Sequence, residues 1–287
     1  MKPSILVFCA LTHLGLRLMA GGSTIPQELA FSAVPEKSTL SGFRWSDPRE
    51  PYLTQLRASE HLEAVIVGSA TDFQKVQKLT AWAHGLWKHN GDNEPARNDA
   101  LSILQEAREG RNFRCVEYSV VLAAALNAVG VPARVLWLRT ADVETRPSGA
   151  GHVVVEAYLA DRRRWILADG QYDAIPVLKD EPVNAIELQA ALARGASGLH
   201  ISSSSGTDEA MWFGWIAQYL HYFNVRFDNR TGSPDLSPEA LMLVPVGAKE
   251  PKIFHGIRPI KNTTYTHSTP SFYAPPLVKA SGLKPSP

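Results

Sequence analysis

The sequence predicts a fold that combines α-helices with antiparallel strands, and two segments carry that prediction. Residues 116–129 are apolar nearly all round, which is typical of a helix buried between layers. Gly130 and Pro132 end this helix, because glycine favours the turn past a helix end and proline cannot extend the helix. Residues 152–168 contain two apolar segments on either side of the charged turn 161–164, which indicates a β-hairpin.

Cys115 lies in the first turn of this helix. Unpaired backbone N–H groups and the positive end of the helix dipole stabilise an anion there, and Arg111 and Arg114 add positive charge. We therefore expect the thiol to ionise more readily than a free cysteine, and the thiolate is the reactive form. The other cysteine, Cys9, lies in a predicted export signal, so we expect no internal disulfide in the mature protein. Buried packing is the alternative role for a lone cysteine.

The hairpin brings a histidine and a carboxylate together. One strand begins at His152 and the other ends at Asp169, so antiparallel pairing about the turn places the two residues at the open end. The carboxylate can fix the tautomer and orientation of the ring, and the ring can hold the proton of a nearby thiol. This pair favours a chemical role for Cys115 over packing.

Four segments, in order along the chain, resemble the signature blocks of the transglutaminase-like superfamily. They lie within roughly residues 71–173 and comprise 115–119, 130–135, 151–156 and 165–169. The resemblance implies a papain-like α+β core, with the nucleophilic cysteine at the start of a central helix packed on an antiparallel β-sheet. It implies Cys115 as the nucleophile, His152 as the general base and acid, and Asp169 as the group that orients His152.

Members of this superfamily transfer or hydrolyse acyl groups at glutamine side chains, peptide bonds or glycan-bearing amides. One position departs from the family pattern, which usually has Asp-Pro after the last strand, whereas this chain has Asp169-Gly170. The departure leaves the three implied catalytic residues in place and changes the loop that follows them.

An acyl-transfer mechanism also needs hydrogen-bond donors for the oxyanion of its tetrahedral intermediate. The backbone N–H of Cys115 is one donor, and in the family a second donor usually comes from upstream of the cysteine. Trp87 and Asn90, at the end of a predicted helix, are candidates for this role, with aromatic packing as the alternative for Trp87. Gln171 is a further candidate to line the pocket, or else a polar loop residue.

Composition and spacing exclude several other functions. The 287 residues include 29 basic and 28 acidic side chains, and a net charge of +1 without a basic stripe argues against nucleic-acid binding. His84 and His89 lie roughly 140° apart on a helix and form no close ligand pair, so we expect no metal and no cofactor. We expect a protein or peptide substrate and no integral membrane association. The oligomeric state stays open.

The chain divides into five predicted segments. Lys2, a short apolar run and the small residues 20–22 predict an export signal, hence a periplasmic or extracellular protein, with an amphipathic first helix of a cytoplasmic protein as the alternative. The segments are the signal at 1–22, an irregular N-terminal arm with a short strand at 23–70, the catalytic core at 71–173, a C-terminal extension packing on the core at 174–273, and a disordered tail at 274–287.

Further elements follow from local patterns. Thr71 begins a helix through a capping-box pattern. The aromatic residues of a helix at 208–222 indicate core packing, with a sugar-stacking surface as the alternative. The remaining predicted elements are a strand at 62–67, a helix at 99–109, a strand at 133–138, a helix at 185–194, and strands at 223–227 and 240–244.

Two functions remain. The first is an exported cysteine enzyme that cleaves or transfers acyl groups at peptide, isopeptide or glutamine side-chain amides through a thioester on Cys115. The second is a non-catalytic protein- or peptide-binding module that uses the same fold. The intact set of Cys115, His152 and Asp169 favours the enzyme.

Overall fold

The computed structural model describes residues 27–36, 42–232 and 239–276. The predicted signal at 1–22 and most of the predicted tail at 274–287 lie outside these ranges. The helices of the described part are α1 (Pro51–Ser59), α2 (Leu62–Val65), α3 (Asp72–His84), α4 (Ala100–Arg108), α5 (Cys115–Ala128), α6 (Ala185–Ala193), α7 (Glu209–Ile216) and α8 (Thr269–Phe272). None of the helices in these ranges combines the length and apolar character that a membrane crossing requires.

The strands of the described part form one large sheet and two small ones. They are β1 (Ala133–Arg139), β2 (Gly151–Leu159), β3 (Arg164–Ala168), β4 (Ile175–Leu178), β5 (Glu181–Pro182), β6 (Leu199–Ser202), β7 (Tyr222–Arg226), β8 (Ala240–Leu243), β9 (Ile253–Phe254), β10 (Arg258–Pro259) and β11 (Thr263–Thr266). The large sheet has the order β11-β8-β7-β1-β2-β3. Its neighbours are antiparallel except β8 and β11, which run parallel. The α+β architecture with a helix packed on this sheet confirms the predicted fold class.

Helix α5 occupies the centre of the larger core. It packs against β1 and β2 on one side and against α1, α3 and α4 on the others, so its nearly uniform apolar sequence is buried all round. At its end, the Asn127 side chain hydrogen-bonds both the N–H and the carbonyl of Ala133 at 3.0 Å. This contact ties the end of α5 to the first residue of β1 and fixes how helix and sheet pack.

The opposite face of the sheet is covered by the C-terminal half of the chain. Trp212 of α7 and Phe272 of α8 are fully buried against sheet residues such as Val154. Two fully buried side chains, Arg134 and Glu156, form an ion pair at 2.7 Å on neighbouring strands. Arg134 also donates to the Phe272 carbonyl at 2.8 Å, so the charged pair anchors α8 to the sheet.

Two local predictions differ from the structure. The strand predicted at 62–67 is wrong, because Leu62–Val65 forms the short helix α2, and α1 occupies part of the arm that was expected to be irregular. A short apolar run fits a buried helix as well as a strand, and Leu62 is buried in the helical core, which decides between them. The predicted aromatic helix ends earlier than expected, since a 3-10 turn at Ala217–Tyr219 follows α7 and Tyr222 begins β7.

Candidate active site

Cys115 is the first residue of α5 and is half-buried. The helix start is fixed by Glu117, whose carboxylate accepts a hydrogen bond from the Arg114 backbone N–H at 3.1 Å. The Ser119 hydroxyl lies 3.0 Å from the Cys115 carbonyl and 2.9 Å from the Val153 carbonyl. These contacts hold the first turn of α5 against β2 and so set the position of the thiol.

The two arginines near Cys115 have carboxylate partners. Arg114 forms ion pairs with Glu117 at 2.7 Å and with Glu94, and Arg111 forms one with Glu106. Their charges are therefore compensated locally, unlike the free positive charges that the sequence suggested. The sequence could not show these partners, because Glu94 lies 20 residues from Arg114 along the chain.

His152 and Asp169 form the pair that the hairpin predicted. Strand β2 pairs with β3 so that Val155 lies opposite Ala168, which brings the residue after β3 near the start of β2. The His152 Nε2 lies 2.9 Å from the Asp169 Oδ2. Because the carboxylate is an acceptor, Nε2 carries the hydrogen and Nδ1 is the ring nitrogen left for the thiol.

The pKa of His152 is raised by its neighbours. Burial acts to lower it, but the charge and hydrogen bond of Asp169, followed by the hydrogen bond and charge of Cys115, outweigh burial and raise the pKa to about 9. At neutral pH the ring is therefore an imidazolium held against the Asp169 carboxylate.

Asp169 accepts four hydrogen bonds and is fully buried. Besides His152, its Oδ2 accepts the Trp212 indole N–H at 3.1 Å. Its Oδ1 accepts the backbone N–H groups of Gln171 at 3.0 Å and Tyr172 at 3.3 Å. Donors on both oxygens stabilise the ionised carboxylate and fix its orientation toward the imidazole.

Gly170 allows the loop after Asp169 to pack directly on α5. A Cβ atom at this position would lie 3.3 Å from the Leu122 Cδ2 and 3.6 Å from the Tyr118 carbonyl. The absence of a side chain thus brings the loop against the nucleophile helix. This is where the chain departs from the Asp-Pro pattern of the superfamily that it resembles.

Aromatic rings from α7 and the turn after it surround His152. The Trp215 ring packs edge-on against the imidazole with centroids 4.5 Å apart, and the Tyr219 and Tyr172 rings lie at 6.0 and 6.4 Å. The sequence predicted core packing for the aromatic helix, with a sugar-stacking surface as the alternative, and Trp212 lies in the core. The sequence analysis missed the contacts of these rings with His152 and Asp169. Two signals could have indicated them: the spacing of residues 212, 215 and 219 places the rings on one helix face, and a buried indole N–H needs an acceptor.

Trp87 and Gln171 each have a buried polar atom with no hydrogen-bond partner in the part of the chain that the structure describes. Trp87 packs against Phe113 and Tyr118 with centroids 5.5 and 4.6 Å apart, as the packing alternative expected, but none of the described residues bonds its Nε1. The same holds for the Gln171 Oε1 within the described ranges. The Asn90 Oδ1 accepts two backbone N–H groups of the following turn, at 3.0 and 3.2 Å. A site role for each of these three residues stays a prediction.

Cys115 and His152 both line a cleft of about 500 Å³. The strands β1, β2 and β7 contribute one part of its wall, and residues 254–263 contribute another. In the described ranges, no group of three or more His, Cys, Asp or Glu side chains is placed to hold a metal ion. The cleft gives a bound molecule access to the half-buried thiol.

Residues 60–170 match the model of the transglutaminase-like superfamily. This segment is a transglutaminase-like domain. It contains Cys115, His152 and Asp169, and the match confirms the resemblance drawn from the sequence. Trp212 and Trp215, which contact the pair of His152 and Asp169, lie outside it.

Three solved structures match part of the chain at low identity. A candidate cysteine protease from Cytophaga hutchinsonii is 17% identical with a TM-score of 0.35, and the match covers 63% of this chain and 57% of that one. The periplasmic domain of TgpA from Pseudomonas aeruginosa is 21% identical with a TM-score of 0.34, covering 44% and 48%. Red sea bream transglutaminase is 12% identical with a TM-score of 0.33, covering 60% and 40%. The matches span between 40% and 57% of these structures. No curated protein matches the sequence.

Proposed function

We propose that the protein is a cysteine enzyme that cleaves or transfers acyl groups at amide bonds of a protein or peptide. The observation that carries the proposal is the 2.9 Å contact between His152 and the fully hydrogen-bonded Asp169, at a cleft that both His152 and Cys115 line. A nucleophile, a base and a group that orients the base are the parts that covalent acyl transfer requires.

The reaction proceeds in two halves. The Cys115 thiolate attacks the amide carbonyl carbon and forms a C–S bond, and the carbonyl oxygen becomes an oxyanion. The His152 imidazolium gives its Nδ1 proton to the nitrogen as the C–N bond breaks, which releases the amine and leaves a thioester. Neutral His152 then takes a proton from water or from a second amine, whose attack releases the acyl group and restores the thiolate.

The raised pKa of His152 suits this sequence of steps. With a pKa of about 9, the ring is protonated at neutral pH and can act as the acid for the leaving amine. Asp169 keeps Nε2 protonated throughout, so the proton transfers take place at Nδ1.

Two donors support stabilisation of the oxyanion. The backbone N–H of Cys115 begins α5, and the first N–H groups of a helix have no partner within the helix. The Trp87 Nε1 is the second donor that we propose, because it is buried and has no partner among the described residues.

The test is the reaction of Cys115 with iodoacetamide at neutral pH. We expect labelling of the wild type to exceed that of a free thiol and to disappear in Cys115→Ala. We expect His152→Ala and Asp169→Ala to label more slowly while their circular dichroism spectra stay unchanged. Equal labelling of wild type and Cys115→Ala would refute the assignment and favour a non-catalytic binding module. A screen of model peptides for ammonia release, amine incorporation and cleavage then separates transfer from hydrolysis.

We also propose that the protein is exported. The support is the N-terminal pattern of Lys2, an apolar run and the small residues 20–22, which lie outside the described residues. The test is to sequence the N-terminus of the protein from cell fractions. A mature chain that begins near residue 23 supports export, and an intact N-terminus in the cytoplasmic fraction contradicts it.

A further inference from the structure

The cleft beside Cys115 is cationic. Its positively charged lining residues are Arg114, Arg139, Arg226, Arg258 and Lys261. Arg114 is paired with Glu94 and Glu117. None of the other four forms an ion pair with a carboxylate in the described ranges, and no Asp or Glu of those ranges lines the cleft. Asp228 acts on Arg226 from outside the cleft, so Arg139, Arg258 and Lys261 carry the positive charge that no carboxylate of the described ranges offsets.

Arg139 is the strongest single feature of this cleft. It ends β1, opposite Gly151 and next to the register position of His152. Its guanidinium lies over the Phe254 ring at 4.6 Å, and its Nε atom is buried and has no hydrogen-bond partner among the described residues. Burial lowers the pKa of Arg139 to about 10, and the charge of Tyr265 offsets this effect only in part. A half-buried cation with an unused donor favours an anionic partner.

Strand pairing places the other cations in the same cleft. Trp137 of β1 lies opposite Asn224 of β7, so the two side chains share a face of the sheet. Every second residue of a strand lies on the same face, which adds Arg139 of β1 and Arg226 of β7 to it. The Arg226 guanidinium lies 5.5 Å from the Trp137 ring. The segment 258–263 adds Arg258 and Lys261, which are both exposed.

Gly151 lies beside this cation. A Cβ atom there would lie 3.1 Å from the Leu138 carbonyl, which is a tight contact, and 3.6 Å from the Phe254 ring, which is an ordinary van der Waals contact. The Phe254 ring packs on the Arg139 guanidinium, so the residue directly before His152 lies next to the ring that supports the cation.

We propose that this cleft binds an acidic segment of the substrate, so that the amide attacked by Cys115 lies near Asp or Glu side chains. The inference rests on the proposed function, since it names the substrate class for the same site. The carboxylates of such a segment would pair with Arg139 and with the exposed cations of the rim. A neutral or basic segment would leave the Arg139 charge unpaired.

A pair of alkylating reagents separates charge selection from catalysis. In iodoacetamide and iodoacetate alike, the Cys115 sulphur forms a bond to the CH₂ carbon as the C–I bond breaks and iodide leaves. The two reagents differ in the carboxylate. For each thiol we take the ratio of the iodoacetate rate to the iodoacetamide rate, and we divide the ratio for Cys115 by the ratio for 2-mercaptoethanol. We expect this normalised ratio to be about ten. Added salt of about 0.5 M should reduce this ratio, because it screens exposed charges.

Charge-removing variants locate the effect. We expect Arg139→Gln and Lys261→Gln to lower the normalised ratio about three- to tenfold each. Lys261 is exposed, so its variant tests the proposal even if Arg139→Gln fails to fold. Lys179→Gln, which removes an exposed charge in the turn between β4 and β5, is the matched control and should leave the ratio unchanged.

Peptide protection is the second arm of the experiment. An N-acetylated tetra-Asp amide should slow iodoacetamide labelling of the wild type, whereas its tetra-Asn counterpart should not. A ratio that stays within about twofold of wild type in both variants would overturn the proposal, as would equal protection by the two peptides. Failure of the proposed function would give a different result. Iodoacetamide would then label Cys115 no faster than a free thiol, while the normalised ratio of the two reagents would still report the charge of the cleft.

Discussion

Replacing Asp169 by asparagine removes the charge that holds His152 protonated and keeps the shape of the side chain. In the wild type, raising the His152 pKa from 6.5 to about 9 corresponds to about 3 kcal/mol in favour of the imidazolium, at about 1.4 kcal/mol per pH unit. Burial is the largest single influence and acts in the opposite direction. Without the carboxylate, burial is opposed only by Cys115, so we expect the pKa to fall to 6.5 or lower.

The pH dependence of stability should change with it. Because the folded-state pKa of His152 lies above the unfolded value, its contribution to stability is fully present below pH 6.5 and is lost as the pH rises through about 9. In Asp169→Asn this loss between neutral and alkaline pH should disappear. The free energy of unfolding from urea titrations, measured across this range, reports the difference.

NMR titration of the His152 ring measures the pKa directly, and peptide turnover against pH measures its consequence. We expect the alkaline limb of turnover to lie near pH 9 in the wild type, since the leaving amine then loses its proton donor. Asp161→Asn, in the exposed turn between β2 and β3, is the matched control and should keep both values. A His152 pKa in Asp169→Asn that stays within about one unit of the wild-type value would refute the reasoning.

Two further substitutions test the surroundings of the triad. Trp212→Phe removes the indole donor to Asp169 and should lower stability by about 1.5–3 kcal/mol, the range for a buried hydrogen bond to a charged group, as measured by urea unfolding. Peptide turnover should fall as well. Trp87→Phe keeps the ring that packs on Tyr118 but removes Nε1, so turnover should drop about 10²-fold while iodoacetamide labelling, which forms no oxyanion, stays the same.

Each of these predictions has its own contrary outcome. A stability loss below about 0.5 kcal/mol in Trp212→Phe would mean that the indole contributes packing and no useful hydrogen bond. Equal losses of turnover and of thiol labelling in Trp87→Phe would point to a displaced Cys115 instead of a missing oxyanion donor. Trp165→Phe, which removes an indole donor remote from the triad, is the control for both.

The parts of the site that lie on one local element could be predicted from the sequence. The stop at Gly130 and Pro132 located α5, and the charged turn of the hairpin located His152 and Asp169 near one another. Periodicity and turn chemistry are local properties, so they can be read without knowledge of distant contacts. The strand predicted at 62–67 was wrong because its local pattern was not sufficient. A short apolar run does not decide between helix and strand until its burial is known.

The parts that depend on distant contacts could not be predicted. Trp212 was recognised as a core residue, but its hydrogen bond joins it to a carboxylate 43 residues away in sequence. Arg114 was taken as a free charge near Cys115. Its partner Glu94 is separated from it in the sequence by helix α4, so local patterns do not show the pair. The contact of the Arg139 guanidinium with the Phe254 ring likewise joins distant parts of the sequence and forms only in the folded protein.

Helix α7 lies beyond the segment that matches the superfamily, and this has a consequence for how the site is assembled. A ribosome completes Cys115, His152 and Asp169 before it adds the indole that holds the carboxylate and the ring that covers the imidazole. The nascent chain therefore carries all three triad residues for a period in which their geometry is unsupported. A fragment that ends at residue 170, where the superfamily match ends, would therefore lack the indole hydrogen bond to Asp169 and the ring contact with His152.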